Sequence, residues 1–199
     1  MAAYMRDQFE FLGIGTPTRR AATKPLYQGL KSHSADVLIG LAQLLWCYPE
    51  REYQYAAIDL LAMHSNKLDA AHVPILMELV QSKSWWDTVD ALASVIGKVL
   101  RYGHDGMDQA IVHQNMWVRR VAILHQLGWH DKTDEALLFS YLLQCAHEKE
   151  FFIQKAIGWA LRDYARHDPQ AVREFTVAKK ATLSPLSYRE ANKHFASDK

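Results

Sequence analysis

"WDTVDALA", residues 86–93, is one of four short segments that resemble one another. The others are "YQYAAIDLL" (53–61), "VRRVAILHQL" (118–127) and "IQKAIGWAL" (153–161). With Ala57, Asp90, Ala122 and Ala156 superposed, the steps between them are 33, 32 and 34 residues. Such a period fits one helix pair per repeat, and helix pairs bury their apolar faces only by stacking on their neighbours. The pattern predicts an all-α fold, a curved solenoid of antiparallel helix pairs whose concave side is lined by one helix of each pair. Small apolar pairs recur in any helical protein, so the repeat alone is a modest signal.

Working outward, apolar residues elsewhere also recur at three and four positions, with few strand-like alternations. Thr16 followed by Pro17, and Thr133 followed by acids, read as helix starts. Gly103, Gly106, Pro49, Pro74 and Pro169 mark boundaries between amphipathic runs. The chain has 199 residues, 49% of them hydrophobic, and no Pro/Gly/Ser-rich linker, so a single unit over residues 1–199 is expected. "VLIGLAQLLWCY" is too short for a membrane span and no signal-peptide pattern opens the chain, which suggests a soluble, cytoplasmic protein. Cys47 and Cys145 form no CxxC pair, and ten scattered histidines include no HExxH, so neither a disulfide framework nor a metal site is expected. "GIG" at 13–15 follows no strand and is not a nucleotide-binding loop.

The net charge of +1 divides unevenly: +3 over residues 1–34, −6 over 35–152 and +4 over 153–199. Two basic ends around an acidic middle could grip a polyanion at separate points. Charge alone favours the plainer reading, a set of solvated faces.

Three helices depart from simple amphipathicity. In "KSWWDTVDALASVIG" (83–97), at about 100° per residue, Trp85, Val89, Leu92, Ile96 and Val99 share a core stripe. Trp86, Asp90, Ala93 and Gly97 form a second stripe, where small residues should leave an open shelf beside an aromatic ring and a carboxylate. Asp87 points a third way and is expected exposed near the helix start, where an acid suits the dipole. In "FFIQKAIGWALRDYAR", Trp159 lies opposite the core stripe with Lys155, Arg162 and Arg166 beside it. Either their stems cover the ring, or this is a surface for phosphates and sugars. In "NMWVRRVAILHQL", Arg120 falls on an apolar stripe and needs a carboxylate or a phosphate, with a salt bridge to a neighbouring helix at least as good a reading as a ligand site.

"YMRDQFEFLGIGTPTRR", "PEREYQYAAIDLL", "KSWWDTVD", "NMWVRRVAILHQL", "KEFFIQKAIGWALRDYAR" and "LSPLSYREANKHF" follow the order and approximate spacing of the bacterial DNA alkylation repair family, the AlkD-type DNA glycosylases, which the chain resembles from about Tyr4 to Phe195. The resemblance implies a superhelix of HEAT-like pairs that clasps duplex DNA and removes cationic alkylated purines, 3-methyladenine and 7-methylguanine, without base flipping. It also implies no cofactor, no metal, no membrane, action as a monomer and a place at the nucleoid. Carried over by position, Asp90 matches the catalytic carboxylate and Trp86 and Trp159 match two active-site aromatics. Arg120 matches a DNA-backbone contact, Tyr4 an aromatic lining the channel and Arg162 a basic contact, with Lys155 and Arg166 beside it as DNA-binding residues. Members usually carry another helix ahead of the segment that starts here at "MAAYM".

The chemistry suits these residues. An alkylated purine already carries positive charge and leaves readily, so the remaining task is to stabilise a cationic sugar, which a carboxylate does. Asp90→Asn is then expected to lose most excision activity while removing little packing. A non-catalytic DNA-binding solenoid would keep the basic ends but would not need Asp90 beside Trp86, and a protein-binding helical scaffold would need neither.

Overall fold

The structure, a computed structural model, describes residues 1–193 and 195. His194 of "LSPLSYREANKHF" and residues 196–199 of the expected unit lie outside the described residues.

The described chain is built of α-helices: α1 (Thr16–Gly29), α2 (Ala35–Cys47), α3 (Arg51–Met63), α4 (Val73–Gln81), α5 (Trp86–Leu100), α6 (Met107–Ile111), α7 (Met116–Leu124), α8 (Glu135–Cys145), α9 (Phe151–Tyr164), α10 (Pro169–Ala178) and α11 (Pro185–Ala191). Among the described residues the only β pairing is an isolated bridge between Glu10 and Glu50, so the all-α expectation holds. No described helix is long and apolar enough to cross a membrane.

Local chemistry sets the helix starts. The side chains of Ser34, Asn115, Asp168 and Ser184 each accept a backbone N–H at the head of α2, α7, α10 and α11. Two predicted caps are displaced by one residue: Gly15 precedes α1, with Thr16 its first residue, and Asp134 caps α8 in place of Thr133. A carboxylate one position on is the stronger acceptor at a helix N-terminus.

The odd-numbered helices stack in order, α1 on α3, α3 on α5, α5 on α7, α7 on α9 and α9 on α11. The even-numbered ones back them, α2 on α3, α4 on α5, α6 on α7, and both α8 and α10 on α9. This two-layer helical repeat encloses one continuous apolar cluster running from Ile39 in α2 to Ala191 in α11. The repeat itself has a different register from that predicted. The stacked helices begin at residues 51, 86, 116, 151 and 185, giving steps of 35, 30, 35 and 34. Ala57, Ala122 and Ala156 are buried as superposed, but Asp90 is partly exposed and Val89 beside it is sealed. Counted from helix starts, Asp90 is level with Tyr55, Arg120 and Lys155, each the fifth residue of its helix. These polar residues form a row across the stack.

Candidate active site

The head of α5 is fixed from two directions. Lys83, in the left-handed region at φ 50°, donates its ammonium to the carbonyls of Trp46 (2.7 Å), Cys47 (3.2 Å) and Tyr48 (2.5 Å). A cation there satisfies the orphan carbonyls at the end of α2. The Lys83 carbonyl in turn accepts from Arg51 Nη1 at 2.7 Å. Trp85 is the extended cap residue, φ −158°, and not the first residue of the helix. Its ring is half-buried and packs against the core at Phe152 (5.2 Å) and Trp117 (5.9 Å), its indole nitrogen buried and without a partner among the described residues. The rest of the predicted stripe, Val89, Leu92, Ile96 and Val99, is buried.

Two expectations for this helix are overturned. Asp87 is not exposed: its carboxylate accepts from Arg51 Nε (3.0 Å), Arg51 Nη2 (2.6 Å) and the Tyr55 hydroxyl (2.6 Å), with 8% of the side chain accessible. Ala93 and Gly97 form no open shelf. Both are buried, and a Cβ on Gly97 would collide with the His125 carbonyl of the turn after α7. The small residues serve close helix approach.

Asp90 sits one turn beyond Trp86 on the same face, with 19% of its side chain exposed. Arg120 of α7, itself only 1% exposed, grips it with two hydrogen bonds, Nε to Oδ1 at 2.6 Å and Nη2 to Oδ2 at 2.8 Å. The remaining Arg120 nitrogen donates to the Phe152 carbonyl. The apolar-stripe arginine has found a carboxylate, and all three of its nitrogens donate within the protein. Burial pushes the Asp90 carboxyl above its ordinary range; Arg120 offsets part of that shift, and the Asp87 charge adds to it.

The other predicted residues gather around this pair. The Arg120 guanidinium lies 5.5 Å from the centre of the Trp159 ring, with Lys155 at 5.9 Å and Arg162 at 6.0 Å. Cations rim the Trp159 ring, and the ring remains half-buried, an arrangement that does not separate the two readings of it. Tyr4 meets Trp86 edge-on at 6.0 Å and is 74% exposed. It is carried there by an anchored leading segment. The buried Glu52 carboxylate accepts the backbone N–H groups of Leu12 (3.0 Å), Gly13 (2.9 Å) and Ile14 (3.1 Å), and the Arg51 guanidinium stacks 3.8 Å from the Phe9 ring centre. Arg166 is exposed in the turn after α9.

Sequence reasoning missed Glu190 of α11, which binds Lys155 and Arg162 and is buried. Its spacing from Lys193, a helical i, i+3 pair, was the available signal. Among the described residues no group of three His, Cys, Asp or Glu could hold a metal.

The family described as "DNA alkylation repair enzyme" matches residues 1–195. The chain belongs to the DNA alkylation repair enzyme family. A solved structure described as a predicted DNA alkylation repair enzyme from Enterococcus faecalis is similar at 36% identity, covering 98% of this chain and 93% of that one, with a TM-score of 0.90. AlkD2 from Streptococcus mutans, 18% identical over 96% of each chain with a TM-score of 0.67, shares the fold. No curated protein matches the sequence.

Proposed function

We propose that this repair protein is a DNA N-glycosylase that hydrolyses the glycosidic bond of cationic alkylated purines, 3-methyladenine and 7-methylguanine, in duplex DNA. The observation that carries this is a carboxylate, Asp90, locked in place beside Trp86 yet still open to solvent. In the step, the bond between C1′ and the purine nitrogen breaks and its electron pair neutralises the charged base. The sugar becomes cationic, and a water adds to C1′ while passing its proton to Asp90. At about 4 Å and an effective dielectric near 20, one carboxylate stabilises a cation by roughly 4 kcal/mol. Arg120 offsets part of that field, so the net gain is smaller. Its service is orientation, since a carboxylate already fixed needs no reorganisation as charge develops. Trp86 and Tyr4 offer aromatic surface to the same cation. The base stays in the stack in this reading, as the family resemblance implies. In this reading Arg120 holds Asp90, while Lys155, Arg162 and Arg166 meet phosphates. The protein works as a monomer on nucleoid DNA.

A second reading has one observation in its favour. Asp90–Arg120 closes on itself as Arg51–Asp87 and Arg119–Glu148 do at other helix junctions, which suits a non-catalytic DNA-binding protein. Incubating the protein with methylated duplex DNA and measuring released bases by chromatography separates the two: release of 7-methylguanine or 3-methyladenine supports the glycosylase, and DNA binding without release supports the alternative.

A further inference from the structure

α3 opens on two charged residues that face different ways. Arg51 reaches α5, where its guanidinium holds Asp87. Glu52 reaches the segment ahead of α1. It is 3% exposed and stands in the first turn of a helix whose cap residue, Glu50, makes no side-chain cap hydrogen bond. Opposing the helix dipole would need no partner. Yet the two Glu52 oxygens accept three successive backbone N–H groups, from Leu12, Gly13 and Ile14.

Consecutive N–H groups turned to one point form an anion-binding nest. The turn depends on Gly13, whose φ of 80° lies in the left-handed region, with open space where a Cβ would stand. The chain thus fills its own anion site, and that fixes the segment. Two more ties run to the same stretch. The Arg51 backbone N–H donates to the Glu10 carbonyl at 2.9 Å, and the Phe9 ring centre lies 3.8 Å from the Arg51 guanidinium. Beyond them Met5 is buried, while its neighbour Tyr4 is 74% exposed and meets Trp86 edge-on. Packing alone gives no reason for the segment to present that ring to solvent, on the helix face that carries Trp86 and Asp90.

We infer that Glu52 is a positioning residue for the candidate active site: by closing the nest at residues 12–14 it sets where the leading segment lies, and so where Tyr4 stands against Trp86. The catalytic consequence rests on the glycosylase reading above. A ring that offers its face to a cationic sugar gains most when it is in place beforehand, because little freedom is then lost on binding. Arg51 ties the same segment to the head of α5, so Tyr4 and Asp90 are placed from one turn of α3.

Two measurements test this. Limited chymotrypsin digestion reads the placement of the segment through cleavage after Phe9 and Phe11, both half-buried. Single-turnover release of 7-methylguanine from methylated duplex reads the consequence. Glu52→Gln leaves one oxygen for three N–H groups and turns an amide N–H toward them. It should be cut about tenfold faster and release base about fivefold more slowly, with part of both recovered in Glu52→Asp. Tyr4→Leu should release base as slowly with cleavage at the wild-type rate. Combining Glu52→Gln with Tyr4→Leu should slow release no further than Tyr4→Leu alone, because Glu52 acts through Tyr4; a role in helix stability alone predicts losses that multiply. Gly13→Val attacks the nest from its other side, since a branched side chain is strained at that φ, and should loosen the segment in the same way. Where Glu52→Gln does not fold by circular dichroism, Gly13→Val decides. Wild-type cleavage in the deciding variant overturns the inference, as do multiplying losses in the double variant. Base release at an unchanged rate in Glu52→Gln removes Glu52 from the site and leaves the glycosylase standing. Absence of release by the wild type, with faster cleavage in Glu52→Gln and Gly13→Val, sinks the glycosylase and leaves the placement of Tyr4 by Glu52 standing.

Discussion

Replacing Asp90, the proposed catalytic carboxylate, with asparagine should also lower stability, because of what it leaves behind. Arg120 is 1% exposed and takes two of its hydrogen bonds to Asp90. The amide keeps the shape and one acceptor oxygen but withdraws the carboxylate that pairs with this buried guanidinium. Breaking a buried pair from one side costs about 3 to 5 kcal/mol, and the partial exposure of Asp90 places this case near 3. In a domain of this size each kcal/mol moves the melting temperature by roughly 2 to 4 °C, so Asp90→Asn should melt about 6 to 12 °C lower. The check is thermal denaturation followed by circular dichroism, with single-turnover excision measured well below both transitions. Arg120→Gln alone and with Asp90→Asn completes a double-mutant cycle, and the double variant should recover part of the loss. A melting point within 1 °C of the wild type for Asp90→Asn would falsify the view that the pair bears on folding. Asn activity equal to wild type at low temperature would remove the carboxylate from the chemistry.

Excision should also fall on the acid side with a midpoint above the ordinary aspartate value of 3.8, since the ionised form acts and burial raises the Asp90 carboxyl; a single-turnover pH profile with its midpoint at or below that value contradicts this. Gly158→Ala should destabilise the protein by about 1 to 3 kcal/mol, because the new methyl meets Glu190 and Ser187 and pushes α11 off α9; urea titration reads the change, and a neutral result refutes the close approach. Burial, with Glu148 beside it, pushes the Cys145 thiol up to about 12. Iodoacetamide at pH 8 should therefore modify the exposed Cys47 and spare Cys145 in peptide mass spectra, and equal labelling would count against the buried setting.

The fold was legible because helical periodicity is a local property, and Val89, Leu92, Ile96 and Val99 declared their stripe within one helix. What failed depended on distant chain. Asp87 looked like a solvated acid because its partner, Arg51, lies 36 residues away. Ala93 and Gly97 announced closeness, and from sequence alone a missing side chain reads equally as empty space or as a neighbour. For the candidate site, an arginine on an apolar stripe showed that Arg120 needed a partner, but only the stacking order of α5 and α7 made that partner Asp90. Glu190 stayed hidden for the same reason, being 28 to 35 residues from two of its cations.

The ion pairs between stacked helices also bear on how the chain finds its own neighbours. Repeats that look alike can assemble in the wrong order, a hazard of folding in such proteins. Here the base lies on the earlier helix at α1–α3 (Arg19 to Asp59), at α3–α5 (Arg51 to Asp87) and at α9–α11 (Lys155 to Glu190), but at α5–α7 the order reverses and the acid comes first (Asp90 to Arg120). α5 thus presents an acid to each side. Were α3 to skip α5 and dock on α7, Arg51 and Arg120 would each lose its carboxylate, two buried unpaired guanidinium groups in place of two neutral pairs. The assembly that omits the helix bearing Asp90 is thereby penalised during folding, so the residue proposed for repair also enforces the sequence in which the repeats come together.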